Sequence, residues 1–345
     1  MRITQLTVDN FRNHKHTTLQ LDAGVNVLVG PNAQGKTNLL EAIFLSCVGR
    51  GWRTGRDSEM VQFNQDRALV QVTAIKKFGS VDITIQLGLG LKKSISINRV
   101  PIAKVAELMG QINCIFFSPD ELKLVKEAPA DRRRFLNIDI SQIDKSYFYA
   151  LTRYNKILQQ RNAYLKNNTD PRELSIWDDQ LISQGKIIIA KRQAFIQKLT
   201  PYVIAKHHEL TDGKETIAIT YETCRDFAAE LTAARERDLR LRTTTVGPHR
   251  DDIAITINGQ DVRVYGSQGQ QRTAALSIKL AELDLFTDIT GERPILLLDD
   301  VFSELDSSRQ ARLLIAVANT QVIITATEAP AMGKIFRIKQ GTVLI

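Results

Sequence analysis

Gly30-Pro31-Asn32-Ala33-Gln34-Gly35-Lys36-Thr37 is the stretch whose reading decides the fold. It meets the phosphate-loop pattern G-x-x-x-x-G-K-[ST] at every fixed position. Before it, Val25-Asn26-Val27-Leu28-Val29 is an apolar, β-branched run with the composition of a buried parallel strand. After it, Leu39, Leu40, Ile43, Phe44 and Cys47 recur at helical spacing. Strand, loop and helix follow in the order that turns unpaired helix N-terminal N–H groups and a positive dipole end toward an anion. Gly30 and Gly35 let the backbone fold round phosphates with no Cβ in the way. Lys36 is then expected at the β and γ phosphates of ATP, and the Thr37 hydroxyl on Mg²⁺. Pro31, Asn32, Ala33, Gln34 and Asn38 complete the expected nucleotide contacts.

A second half of such a site stands far downstream. Pro294-Ile295-Leu296-Leu297-Leu298-Asp299-Asp300 reads as an apolar strand ending in two carboxylates. Asp299 at the carboxyl edge of the sheet is expected to hold Mg²⁺ opposite Thr37, and Asp300 to polarise an attacking water. Tyr265-Gly266-Ser267-Gln268-Gly269-Gln270-Gln271-Arg272 precedes an amphipathic helix and forms a second anion-binding cap. One nucleotide rarely needs two caps. If the second cap meets the phosphate held by another copy's Lys36, two sites form across a dimer interface that ATP closes and hydrolysis opens.

Bulk properties narrow the class. The chain has 345 residues, 43% hydrophobic and 24% charged, enough for two ordinary globular domains. No run approaches the ~20 apolar residues of a membrane span, and Met1-Arg2-Ile3-Thr4-Gln5 opens straight into strand-like alternation, so a cytoplasmic protein without a membrane partner is expected. Cys47, Cys114 and Cys224 are too scattered for a metal site or disulfide framework. A net charge of +8 favours a polyanionic partner.

Taken in order, residues 3–11 and 16–21 read as strands around the turn Arg12-Asn13-His14. Arg12 is placed either to reach a nucleotide phosphate or to be a solvated turn arginine. Strands are expected at 68–76, 80–87 and 93–98, and another apolar run at 112–117. Tyr147, Ala150, Leu151, Tyr154, Ile157, Leu158 and Arg161 share one helical face. The break Asn167-Asn168-Thr169-Asp170-Pro171 separates it from a second helix that Pro201 interrupts or kinks, making an antiparallel arm. Beyond come a strand at 215–221, a charged helix over 226–240, and a hairpin of strands 253–257 and 261–265 turned at Asn258-Gly259.

Together with Ser303-Glu304-Leu305-Asp306, the phosphate loop, Ser267 to Gln271 and the strand ending in Asp299 resemble the ATP-binding-cassette heads of the SMC and Rad50 branch. Within that branch, Asn10-Phe11-Arg12-Asn13, Gly35-Lys36-Thr37-Asn38-Leu39-Leu40-Glu41-Ala42-Ile43, Arg132-Arg133-Arg134-Phe135-Leu136 and Gly247-Pro248-His249-Arg250-Asp251-Asp252 resemble the bacterial RecF family nearly end to end. One departure is Ala33, where that family's loop usually has glycine at a position open to φ > 0. The resemblance implies an α/β fold, an ABC-type P-loop ATPase head with a helical second lobe. The first lobe is expected to take residues 1–112 and 286–345, and the second residues 113–285.

The same resemblance assigns roles. Lys36 is the phosphate residue, Thr37 and Asp299 hold Mg²⁺, and Asp300 is the catalytic carboxylate. Ser267, Gln268, Gly269, Gln270 and Gln271 form a signature acting in trans, and Ser303, Glu304, Leu305 and Asp306 form a dimer-contacting loop. Thr325 falls where many cassette proteins keep a switch histidine, and the glutamine-loop position maps near Phe117-Ser118-Pro119-Asp120. The implied protein is a weak, DNA-stimulated ATPase whose ATP-driven homodimer clamps double-stranded DNA near gaps. With RecR and RecO it helps load the RecA recombinase, and Arg132, Arg133 and Arg134 line the DNA grip. Two other classes fare worse. An SMC-like tether needs hundreds of coiled-coil residues between the halves of the site, where this chain has only residues 38–294 without sustained heptads. An ABC-type subunit of a transporter commonly carries glutamate and histidine where this chain has Asp300 and Thr325.

Overall fold

Alternating apolar and polar residues build the first sheet. β1 (Arg2–Phe11) buries Ile3, Leu6, Val8 and Phe11 and turns through Arg12 and Asn13 into β2 (His14–Gln20). β4 (Arg67–Lys76), β5 (Gly79–Gly88), β6 (Ser94–Ile97) and β7 (Val100–Pro101) extend it antiparallel in the order β2-β1-β4-β5-β6-β7. The computed structural model describes residues 1–119, 123–167, 171–301, 307–329 and 332–344, without the side chains of 123, 171–173, 307–309, 311 and 314. The chain divides into one unit of Met1–Glu121 with Glu282–Ile345 and another of Leu122–Ala281.

The other sheet of the first unit carries the chemistry. Its order is β15 (Thr342–Leu344), β14 (Lys334–Lys339), β3 (Val25–Val29), β13 (Val322–Ala326), β12 (Ile295–Leu298) and β8 (Cys114–Phe117). All neighbours are parallel except β14 with β15. β8 and β12 are buried at every residue, as parallel strands covered on both faces must be. The expected lobe boundary at 112/113 falls earlier than the division between the units, because pairing with β12 draws Cys114–Phe117 into the first.

Between the sheets lies α1 (Lys36–Val48), which contacts β1, β4 and β5 of one and β8 and β13 of the other. Helical spacing picked out its apolar face, yet Glu41 and Ser46 are buried as well. A helix enclosed on all sides must pair its polar groups internally. Arg12 supplies the partner of Glu41, with Nε and Nη2 donating to the carboxylate at 2.9 and 3.1 Å. Ser46 donates back to the Ala42 carbonyl at 3.0 Å.

In the second unit the short α2 (Lys123–Lys126) and α3 (Pro129–Ile143) lead to an arm of α4 (Lys145–Asn167) and α5 (Pro171–Thr211). Residues 168–170 of the expected break lie outside the described residues. Pro201 does not end α5. Leu199 before it and Val203 and His207 beyond it are fully buried, and packing of that face offsets the roughly 3 kcal/mol that an interior proline costs. β9 (Ile217–Glu222) pairs with β10 (Asp252–Ile257), which pairs with the short β11 (Gln260–Asp261). The expected strand at 261–265 is instead a helical turn over Val262–Tyr265, because the Asp261 carboxylate caps the Arg263 N–H at 2.8 Å. The expected charged helix is two, Phe227–Ala233 and Arg235–Leu241, broken at Ala234, with Asp226 capping the first. α9 (Gln268–Thr290) runs across the division between the units. Among the described residues, no helix is long and apolar enough to cross a membrane.

Polar residues organise this unit's core. Arg161 on α4, at 0% exposure, donates to Asp178 at 2.7 Å and to Asp238 and Thr244 at 2.8 Å each. Arg192 on α5 donates to the Pro248 carbonyl at 2.6 Å, Asn137 at 2.9 Å and the Tyr147 hydroxyl at 3.0 Å. Two motifs distant in sequence meet here. Arg132 forks onto the Asp252 carboxylate at 2.6 and 2.9 Å, and Arg133 donates to the Asp251 carbonyl at 2.9 Å. This corrects the assignment of Arg132 to a DNA grip, since the side chain is 3% exposed and neutralises a carboxylate. Of the three arginines only Arg134 is exposed.

Two expectations follow. Arg132→Ala leaves Asp252 without its partner and should cost about 3 kcal/mol of stability in urea unfolding, by the logic of a broken buried pair. Wild-type stability would return Arg132 to the set of surface cations. His249 accepts from the Tyr154 hydroxyl at 2.7 Å and lies 3.0 Å from the Thr244 carbonyl, which fixes its proton on Nε2. Burial, helped by the cations of Arg250 and Arg133, pushes its pKa down to about 4. The unfolded ring protonates near 6.5 and the folded ring only near 4. The contribution is therefore whole above pH 6.5 and drains away as pH falls to about 4, on the order of 3 kcal/mol in all. His249→Gln should flatten the slope of unfolding free energy against pH over that window.

Candidate functional site

The carboxyl ends of β3, β12 and β13 open onto one edge of the sheet, and the phosphate loop leaves β3 there. Gly30 lies so close to β14 that a Cβ would collide with the Ile338 carbonyl, and its N–H donates to the Ala326 carbonyl at 3.2 Å. Gly35 has φ 107°, with the side chains of Asn13 and His14 where a Cβ would stand. Ala33 adopts φ 63°, the left-handed conformation for which glycine is the easier choice.

Gly35 brings no side-chain oxygen to cap α1, and the first turn has no acidic residue. Its leading N–H groups are therefore left for an external acceptor. Lys36, 4% exposed, curls over the loop and donates to the carbonyls of Gly30 and Pro31 at 2.6 and 3.0 Å. Thr37 Oγ1 donates to Asp299 Oδ1 at 2.7 Å, which joins the two halves of the motif. Burial lifts the Asp299 carboxyl above its ordinary pKa, against the hydrogen bonds from Thr37 and Thr325. Asp300 is half-buried with φ 53°, left-handed for a non-glycine residue. The set of a hydroxyl, a carboxylate and an enclosed lysine beside an uncapped helix end suits a metal-bound polyphosphate.

Two turns brace the loop from behind. Asn13 donates to the Gln34 carbonyl at 3.0 Å and accepts from Asn38 at 2.8 Å. His14, fully buried, bridges the Gly35 carbonyl and Thr17 Oγ1 at 3.0 Å each, and burial lowers its pKa. From the β14–β15 turn, Gln340 N–H donates to Gln34 Oε1 at 2.7 Å and Gly341 N–H to the Gln34 carbonyl at 3.0 Å. These contacts, and Arg53 donating to Asn38 Oδ1 at 3.0 Å, escaped sequence reading. The only signal was the polarity of Asn13-His14 and the arginine of the Gly49 to Thr54 loop. Arg12 turns inward to α1. Glu41 and the Glu59 carbonyl engage its guanidinium, because a carboxylate enclosed in α1 requires a charged partner.

In the second unit Ser267 and Gln270 make a reciprocal capping box. Gln270 N–H donates to Ser267 Oγ at 3.2 Å and Ser267 N–H to Gln270 Oε1 at 2.9 Å. Ser267 and Gln268 are exposed, while Gly269, Gln270 and Gln271 are half-buried. Gln270 also donates to Glu215 at 3.0 Å, and Gln271 to the Val262 carbonyl at 3.2 Å. Ser303, Glu304, Leu305, Asp306 and Asp120 lie outside the described residues.

The sequence profile of the RecF/RecN/SMC N terminal domain matches residues 2–341. DNA replication and repair protein RecF of Lachnoclostridium phytofermentans is 42% identical over 361 residues, covering 99% of either chain. Its namesake in Clostridium perfringens strain SM101 is 41% identical over 359 residues, again covering 99% of each. The solved structure of the recombination mediator protein RecF with ATP, in the RecFOR pathway, superposes with a TM-score of 0.92 at 37% identity, covering 99% of this chain and 96% of that one. An SMC head bound to the winged-helix domain of ScpA gives 0.60 at 15% identity, covering 99% and 96%, a likeness of fold alone. The fold is that of an ABC-type ATPase head, and the chain belongs to the RecF family of DNA replication and repair proteins.

Proposed function

We propose that the protein is an ATP-gated DNA clamp of recombinational repair. The observation that carries this reading is the 2.7 Å bond from Thr37 to Asp299, which joins the phosphate loop to the carboxylate strand. Lys36 and the uncapped N-terminus of α1 would hold the phosphates of ATP, and Thr37 with Asp299 would hold Mg²⁺. An ion held there would supply positive charge against the phosphate oxygens. Asp300, at the end of the same strand, polarises the water that attacks.

Ser267 to Gln271 act on the nucleotide of a second copy, so that ATP closes a homodimer and hydrolysis releases it. The exposed Ser267 and Gln268 leave the capped end of α9 accessible for that role. Ser303 to Asp306 serve the same interface. The closed dimer grips double-stranded DNA near single-strand gaps by a sequence-independent phosphate contact, in keeping with the net charge of +8. With RecR and RecO it promotes loading of RecA, and DNA stimulates its slow ATPase. The solved RecF structure with ATP is one of the RecFOR pathway, which supports that assignment of partners.

Duplex-DNA binding by fluorescence anisotropy, at one salt concentration with ATP, ADP or neither, tests the clamp. Tight binding is expected with ATP alone and should vanish in Lys36→Met. Binding indifferent to nucleotide would reduce the DNA contact to basic attraction. Ser267→Arg should bind ATP as a monomer yet fail to dimerise or hydrolyse it. Normal turnover by that variant would rule out a composite site.

A further inference from the structure

Thr325 sits at the end of β13, fully buried, and forms no part of the phosphate loop. Parallel pairing of β12 with β13 sets Leu298 against Ile324, so the next residue of each strand brings Asp299 and Thr325 side by side. The Thr325 hydroxyl donates to Asp299 Oδ1 at 2.9 Å and accepts the Asp300 N–H at 2.9 Å. Asp300 Oδ1 lies further off, at 3.4 Å. One hydroxyl thus fixes two consecutive carboxylate residues through different atoms, a side chain in one case and a peptide in the other.

The second contact matters because Asp300 holds φ 53°. A non-glycine residue in that region costs of order 1–3 kcal/mol and stays there only when its surroundings impose it. The bond to Thr325 Oγ1 is such an imposition. It orients the Asp300 peptide, and with it the direction in which the carboxylate leaves the strand. We infer that Thr325 is a positioning residue for the Asp299-Asp300 pair, aiming Asp300 at the attacking water rather than sensing the nucleotide itself. The inference rests on the ATPase reading of the site.

The test uses the full chain and three side chains at this position. Thr325→Val keeps the shape and removes the hydroxyl, while Thr325→Ser keeps the hydroxyl and removes the methyl. Val should lower kcat by roughly 10- to 100-fold, as expected when a buried N–H loses its acceptor, with KM for ATP within about threefold of wild type. Ser should recover kcat to within about threefold. Affinity for a fluorescent ATP analogue with Mg²⁺ should also stay within about threefold in Val, a readout independent of turnover. Wild-type kcat in Val, a loss that Ser does not repair, or a parallel loss of analogue binding would each overturn the positioning role. A wild-type chain that neither binds the analogue nor hydrolyses ATP would instead overturn the ATPase reading on which it stands.

Discussion

Everything at the site depends on the parallel alignment of β3, β13 and β12. Hydrogen-bond register across these strands is set by burial of Val27, Leu28, Ile323, Ile324, Leu297 and Leu298, all nearly inaccessible. Once the strands are level, their last residues are level too. Gly30, Asp299 and Thr325 then emerge at a common edge without any further device. A slip of one residue along β12 would turn Asp299 to the opposite face and bring Leu298 to the edge. Hydrophobic burial, which carries no chemical information, is therefore what brings the chemical groups into reach.

The second unit is built by another rule. Its buried arginines 132, 161 and 192 each join segments remote in sequence, and each is tied to carboxylates or carbonyls. Such pairs add little stability relative to a well-packed apolar core, because desolvation takes back much of the Coulomb energy. Their value is in selecting a single arrangement, since any other leaves a charge enclosed and unpaired. In the second unit these pairs select the arrangement, on a core of buried apolar side chains such as Leu174, Leu181 and Ile188.

That difference governs what the sequence disclosed. The phosphate loop, the strand before it and the carboxylate strand were legible because their signals are local. Residue type and spacing within about ten positions carry them. Arg161 was read on the correct helical face, but nothing local marked Asp178 and Asp238 as its partners. Arg132 was taken for a surface cation because Asp252, which consumes its charge, lies in another motif. The pairing of Arg12 with Glu41 escaped for the same reason, since nothing local marked the carboxylate as buried. The turn at Val262–Tyr265 escaped through a rival signal, since alternating apolar residues favoured a strand while Asp261 was already capping a helix.

One feature of the sheet bears on how the protein is made. Among the described residues, β3 pairs only with β13 and β14, and the turn braced against Gln34 joins β14 to β15. Both of those strands thus lie far downstream of β3, at Val322–Ala326 and Lys334–Lys339, and are synthesised long after it. At about 5–20 residues per second a ribosome needs roughly 15–60 s to cover the intervening chain. During that interval β3 has no strand neighbour, and its apolar edge calls for transient cover. ATP cannot help fold the segment between β3 and β13, because the sheet edge that would receive it is incomplete until Val322–Ala326 has been made.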